Sequence, residues 1–265
     1  MNPFADLRPF PVCALLAAIL AGACAGALAA DGLERARQRG ELRAGIHYLV
    51  PEYKGGMKFR TPETLDTALL EDVARQVRLP LAMVSAEPGK ADIALVRIGQ
   101  SDALHGAASV IPTGYAAGAM AIMRTDTDIK AWEQLKGRRV CVAEGGLYAG
   151  TLAARYGAIE KVYKAPADSL LALRIGACDA AVHDNAMLEE LIKLPEWRKF
   201  SARLPVGPRM NLVFVLPADD KKSAAVLRQV AYSWAANGYL DRLMSKMVRQ
   251  IAFEVYLDQD VPDCH

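Results

Sequence analysis

Apolar positions change their period repeatedly along the chain, and the changes lay out its elements. Leu65, Leu69, Val73 and Val77 recur every four residues, which predicts a helix over residues 64–77 stopped by Pro80. Residues 42–50 before it read as a strand. Residues 81–85 and 92–98 after it read as two more, the latter apolar enough to be buried on both faces. Farther on, residues 119–124 predict a strand, residues 132–136 a short helix closed by Gly137, and residues 139–143 a strand. Gly145-Gly146 then opens a helix that runs to about Tyr156. Residues 161–164 read as a strand, Asp168 caps a helix ending at Gly176, and residues 179–183 read as a strand followed by a helix through Ile192. A strand over residues 212–216 ends at Pro217, and helices over residues 222–237 and 239–248 are separated by Gly238. Residues 251–265 are expected to trail beyond the last helix, either tied back through Cys264 or frayed.

This βαβ order predicts an α/β fold with mainly parallel sheets. The stretch 135–191 repeats the strand–helix order of 42–98, so two similar lobes are expected from element order, without a visible sequence repeat. The connection Glu87-Pro88-Gly89-Lys90 is too short for a helix between the second and third strands.

Composition narrows the class. With 265 residues, 52% of them apolar, the chain can bury a core without relying on disulfides. Thirty-two Lys and Arg against 30 Asp and Glu leave no basic tail, which excludes nucleic acid as the expected partner. Arg8, an apolar run over residues 12–20 and the small residues 21–30 form the pattern of a secretory signal, with Ala27-Leu28-Ala29 as the cleavage site and residues 1–29 as the signal. Gly22-Ala23-Cys24 offers the alternative of a lipoprotein anchored at Cys24. The expected location is periplasmic. Export would leave Cys141, Cys178 and Cys264, an odd number in an oxidising compartment: one bridge and one free thiol, with the pairing open. The four histidines are scattered, so neither a metal nor a cofactor is expected.

Five segments resemble the bacterial extracellular solute-binding proteins of family 3, the amino-acid-type receptors of ABC importers. Leu65-Asp66 with Leu69, Val73 and Ala74 is similar to the family's Gly-Phe-Asp-x-Asp-Leu helix start, with Thr64 in place of the Gly. Ala91-Asp92-Ile93-Ala94 resembles its central strand, and Pro112-Thr113-Gly114-Tyr115 with Gly118 its Pro-Tyr-Tyr-x-x-Gly segment. Residues 132–142, from Trp132 through Leu135-Lys136-Gly137 to Val142, are similar to Asp-Leu-Lys-Gly-Lys-x-Val-Gly-Val. Ser169-Leu170, Gly176 and Asp179-Ala180-Ala181-Val182-His183-Asp184 match Leu-x-x-Gly-x-x-Asp-Ala-x-x-x-Asp. The resemblance implies two Rossmann-like α/β lobes joined by two hinge strands, with a ligand cleft between them that closes by hinge motion. Residues 30–118 and 209–265 would form lobe one with its C-terminal tail, residues 119–208 lobe two, and residues 119–124 and 211–216 the hinge strands.

The same resemblance suggests the site. Asp184, at a strand end where ligands bind open α/β sheets, corresponds to the Asp that holds the ligand's amine, the alternative being a helix cap. Gly145 and Gly146 would present backbone N–H groups to an anion, with Gly146 replacing the family's Thr hydroxyl and Glu144 beside them. The family's carboxylate-clamping Arg is missing from its usual turn. Arg97, near the strand end, either substitutes for it or pairs with Asp102 on the surface. Tyr48 and Tyr53, with Glu52, follow the first strand where the family places ligand-stacking aromatics, and Tyr115 is a second wall. His183 is expected to point away from the site as a structural residue. Lys58-Phe59-Arg60 is expected to be a solvated basic loop.

The expected function is capture of a small polar, amino-acid-like or carboxylate ligand for a membrane ABC permease, without catalysis. No Ser/His/Asp order or Gly-x-Ser-x-Gly motif is present. The alternative is an accessory protein that uses the fold to hold a periplasmic partner enzyme, and an enzyme on the same scaffold ranks below it.

Overall fold

The structure, a computed structural model, describes residues 31–49, 60–87, 89–99 and 108–259. Residues 1–30, and with them the signal, the lipoprotein alternative, Cys13 and Cys24, lie outside the described residues, as do Tyr53, Glu52, Lys58, Phe59, Asp102 and Cys264. The described residues belong to one compact unit.

In chain order the elements are α1 (Gly32–Arg39), β1 (Leu42–Ile46), α2 (Asp66–Val77), β2 (Leu81–Ser85), β3 (Ile93–Ile98), β4 (Ala108–Ala117) and β5 (Ala119–Met123). A 3₁₀ turn (Trp132–Leu135) leads to β6 (Arg139–Ala143), α3 (Thr151–Tyr156), β7 (Ile159–Tyr163), α4 (Pro166–Arg174), β8 (Ala180–Asp184) and α5 (Asn185–Leu191). A second 3₁₀ turn (Pro195–Phe200) precedes β9 (Ala202–Arg203), β10 (Met210–Pro217), α6 (Lys221–Asn237) and α7 (Tyr239–Leu257).

Two five-stranded sheets define two lobes, in the orders β2-β1-β3-β10-β4 and β7-β6-β8-β5-β9. The α/β expectation holds. β1 is parallel to β2 and β3, β6 is parallel to β7 and β8, and antiparallel β10 and β5 join each sheet from the far side. The segments expected as hinge strands lie inside the sheets instead. β5 belongs wholly to the second sheet and β10 to the first. The chain crosses at Gly118, between β4 and β5, and again over residues 204–209. A side chain at Gly118 would run into the backbone carbonyls of Gly207 and Pro208, so the two crossings touch there. Asn185 locks the spot: its Oδ1 accepts from Gly118 N–H and its own N–H donates to Gly118 O, both at 2.9 Å.

The Pro112-Thr113-Gly114-Tyr115 motif lies in a ten-residue strand, β4, that the apolar pattern does not predict. Its alternation places Ile111, Thr113, Tyr115 and Ala117 on the buried face. Pro112 fits because β4 is an edge strand, where its missing N–H breaks no central ladder.

The C-terminal helix is longer than its apolar pattern predicts. α7 runs to Leu257, with Ile251, Ala252 and Val255 buried, so residues 251–257 continue the helix and one face of them joins the core. Its apolar face packs on α4 and α5 of the second lobe, while α6 covers the first sheet. One apolar cluster therefore continues from Leu70, Phe214 and Trp234 through Met247 and Ile251 to Leu170, Leu173 and Leu188. Cys141 and Cys178 form the one disulfide among the described residues, tying β6 to the turn before β8.

Candidate functional site

The period of β3 puts Ile93, Leu95 and Arg97 on one face, so a guanidinium follows two core residues into the space between the lobes. On the second lobe, β8 is buried along its whole length and ends at Asp184. Strand pairing places Asp184 opposite Ala119, one residue past the crossing at Gly118. The two charges meet there. Arg97 Nη1 lies 3.0 Å from Asp184 Oδ2, and both side chains are at least 95% buried. Asp184 makes no helix-cap hydrogen bond with its side chain. Its two oxygens accept from two phenols instead: Tyr115 from the first lobe at 3.0 Å and Tyr148 from the second at 2.6 Å. Burial, then the charge of Asp184, raises both phenol pKa values, so the rings stay protonated donors. The Arg97 guanidinium also lies over the Tyr115 ring, 5.3 Å from its centre.

Arg97 is thus buried rather than on the surface, and Asp102, its other expected partner, lies outside the described residues. It reaches the cleft from one position within the strand rather than from the turn after it. Burial lowers its pKa, but Asp184 and then Asp66 more than offset this and leave it raised. Asp66 Oδ1 stands 4.0 Å from Arg97 Nη2. Burial, reinforced by Asp184 and opposed by Arg97, pushes the Asp66 carboxyl above its usual range.

The glycine turn differs from its expected form. Gly145 and Gly146 do not open a helix; residues 144–150 are turns, and α3 begins at Thr151. The Gly146 N–H is used within the turn, donating to Ala143 O at 3.1 Å. Residues of the first lobe pack on both glycines. A side chain at Gly145, where φ is +79°, would enter the Tyr48 ring, and one at Gly146 would strike Glu63 Oε2. Glu144 is exposed beside them and, after burial, raises the pKa of Tyr48. A carboxylate of the protein therefore sits where a ligand anion was expected.

Glu63 is held there by an unexpected chain. His183 Nδ1 lies 3.0 Å from Glu63 Oε1, and His183 Nε2 lies 2.9 Å from Ser169 Oγ. His183 thus bridges the two, with Nδ1 hydrogen-bonded to the Glu63 carboxyl and Nε2 to the Ser169 hydroxyl. Serine, histidine and carboxylate in this order have the connectivity of a nucleophile triad. Ser169 is fully buried, however, so in this structure the chain serves to hold the Glu63 carboxyl in place. His183 does lie on the opposite strand face from Asp184, as alternation requires, but it reaches across to the first lobe.

Arg60 is not in a solvated loop. It pairs with Asp168 of α4 at 2.7 Å and with Asp258 just past α7. The next residue, Thr61, donates its N–H and hydroxyl to Glu254 of α7, the latter at 2.6 Å. Residues 60–63 are consequently stapled to the second lobe and to α7.

Four buried side-chain atoms in this region have no hydrogen-bond partner among the described residues: Arg97 Nη1 and Nη2, Asp66 Oδ1 and Glu63 Oε2. Arg97 is charge-paired, but neither terminal nitrogen is aligned for a hydrogen bond. Of the residues read from sequence, Arg97, Tyr115 and Asp184 converge, Tyr48 meets Gly145, Gly146 meets Glu63, and Tyr53 lies outside the described residues. Glu63, Asp66 and Tyr148 lie in the same region without having been singled out by the sequence reading as candidates. The available signals were the Asp of the Leu65-Asp66 motif and a polar His183 inside an apolar strand. Among the described residues, no group of three or more His, Cys, Asp or Glu could hold a metal ion, and no helix is long and apolar enough to cross a membrane.

No protein-family model matches the sequence, and no curated protein matches it. Solved structures do. A mutant of ArgBP from T. maritima is 19% identical over 82% of this chain and 99% of its own, with a TM-score of 0.56. The ancestral cationic amino acid solute-binding protein AncCDT-1 is 17% identical over 82% and 99%, also with a TM-score of 0.56. The amino acid ABC transporter substrate-binding protein AbpA from Streptococcus pneumoniae, bound to L-arginine, is 15% identical over 82% and 98%, with a TM-score of 0.56. At such identities the likeness establishes the fold: two α/β lobes arranged as in these binding proteins.

Proposed function

We propose that this chain is a periplasmic solute-binding protein that captures a small, amino-acid-like zwitterion between its lobes and delivers it to a membrane ABC permease. The observation that carries the reading is the set of four buried, unsatisfied polar atoms between the lobes. A buried polar group without a partner costs roughly 1–3 kcal/mol, more when charged, so such groups persist where a binding partner repays them. Two of the four are the terminal nitrogens of Arg97; Nη1 is ion-paired with Asp184, and Nη2 beside it suits a ligand carboxylate. Asp66 Oδ1 beside them suits an ammonium. Asp184 is the natural amine holder by resemblance, but its oxygens already accept from Tyr115 and Tyr148. Its role in this reading is to orient Arg97 and to join the lobes, with the phenols, around the ligand.

Nothing in this arrangement activates the ligand, so it would leave unchanged. Thermal-shift measurements test the reading, on protein unfolded and refolded to strip carried-over ligand, against amino acids, polyamines, dicarboxylates and sugars. A ligand that binds only the native state raises Tm by mass action. An amino acid should raise it, and mass spectrometry should recover that amino acid intact. A response to sugars or polyamines alone would retire the zwitterion site. No response to any member would retire the receptor reading in favour of the accessory one.

A further inference from the structure

We infer that Arg60 and Thr61 form a strap that keeps the two lobes closed on each other without help from a ligand. Under the solute-binding reading, ligand exchange then waits on the strap, but the strap itself does not depend on that reading.

Residues 60–65 lead into α2, which packs on β1 and β2 of the first sheet and on α6. The partners of the strap lie on the other side. The Arg60 guanidinium donates through Nε and Nη2 to Asp168 Oδ1, at 2.9 and 2.7 Å, and through Nη2 to Asp258. Asp168 belongs to α4, which covers the second sheet, and Asp258 follows α7, which packs on α4 and α5. An exposed ion pair is worth little. This cation, however, has a side chain only 19% exposed and clamps two carboxylates from two elements. Burial opposes its charge, but the hydrogen bonds to Asp168 and Asp258 outweigh this and leave its pKa raised. Thr61 brings two donors to the buried Glu254 of α7, its N–H at 3.1 Å and its hydroxyl at 2.6 Å from Oε1. Pro62 follows, and its ring fixes φ, so this stretch has less freedom to lose when the strap is seated.

Arg60 and Thr61 share no partner with the cluster of Arg97, Tyr115, Tyr148 and Asp184. A ligand that rearranged that cluster would leave the strap in place. Hinge opening at Gly118 and residues 204–209 would have to break it, because it carries α2 away from α4 and from the α7 packed on α4.

Small-angle X-ray scattering and hydrogen exchange test this on protein unfolded and refolded to strip carried-over ligand. The wild type should scatter as the closed molecule; a profile that requires separated lobes overturns the inference. Residues 144–150, on which Tyr48 and Glu63 of the first lobe pack, report opening through their amide exchange. Arg60→Ala should speed that exchange about tenfold, the worth of one charge-assisted hydrogen bond, while β1 and β6 exchange as in the wild type. Thr61→Val removes the hydroxyl donor but keeps the N–H. It should act in the same direction, and it decides the matter should Arg60→Ala fail to fold. Unchanged exchange at residues 144–150 in a folded variant overturns the inference. So does an equal acceleration throughout the chain, which would mean general destabilisation and not separation of the lobes. No readout here uses a ligand, so failure of the strap leaves the solute-binding reading standing, and a protein that binds no solute leaves the strap standing.

Discussion

Burial sets the terms for each charged residue between the lobes. Asp66 is the clearest case, because burial raises its carboxyl pKa and Arg97 only partly opposes this. A carboxyl raised in the folded state above its unfolded value favours folding most when protonated. That contribution is fully present below the unfolded pKa, near pH 4, and is lost as pH rises through the folded value. Asp66→Asn should therefore raise the urea midpoint at pH 7, with the gain shrinking as pH falls through the folded value and gone below about 4. The same variant should bind the ligand more weakly, so stability and affinity move in opposite directions; a variant that is less stable at pH 7 than wild type would contradict the assignment. Single residues were unevenly legible. Arg97 and Asp184 stood out as charges at the ends of apolar strands. Glu63 did not, because nothing in Arg60-Thr61-Pro62-Glu63-Thr64 separates a buried, fixed carboxylate from an ordinary polar loop. Its environment comes from His183, 120 positions away in sequence.

Elements were legible wherever local pattern and burial agree. α2, β6, α4 and β8 lie close to their predicted places because each buries a face with its own period, and Gly137, Gly176 and Gly238 close turns with positive φ as their positions suggested. β4 was missed because Pro112 and Gly114 interrupt its composition, though an edge position tolerates both. The Gly145–Gly146 helix start was wrong because the chain uses those glycines for contact with Tyr48 and Glu63 rather than for helix initiation. The disulfide pairing was open in the sequence, and strand order resolves it: β6 and β8 are neighbours, which brings Cys141 beside Cys178 with Cα atoms 5.8 Å apart. Replacing both cysteines by serine should cost about 3–4 kcal/mol in urea denaturation, the chain-entropy value for a loop of this length. Reducing agent should destabilise the wild type alone; equal sensitivity in the double variant would show that the effect comes from elsewhere.

At the scale of the whole molecule, the lobes share structure beyond the two crossings. α7 carries one apolar core from the first lobe onto α4 and α5, and Arg60, Thr61 and Glu63 fasten the segment before α2 to the same region. Calorimetric unfolding should accordingly show one transition, and Ile251→Ala should lower it as a unit, costing about 2–5 kcal/mol as other buried Ile-to-Ala truncations do. Two separated transitions, with only one moved by the substitution, would mean that the lobes fold independently. The sequence by itself determined the two-lobed α/β plan, the sheet-forming strands and the strand-end positions of Arg97 and Asp184, because hydrophobic period and βαβ order are local properties of the chain. Only the tertiary structure decided which charges face one another, that Asp184 is saturated by Tyr115 and Tyr148, and that Glu63 occupies the glycine turn. Those pairings join residues far apart in sequence, and their energies depend on a shared burial that no local pattern encodes.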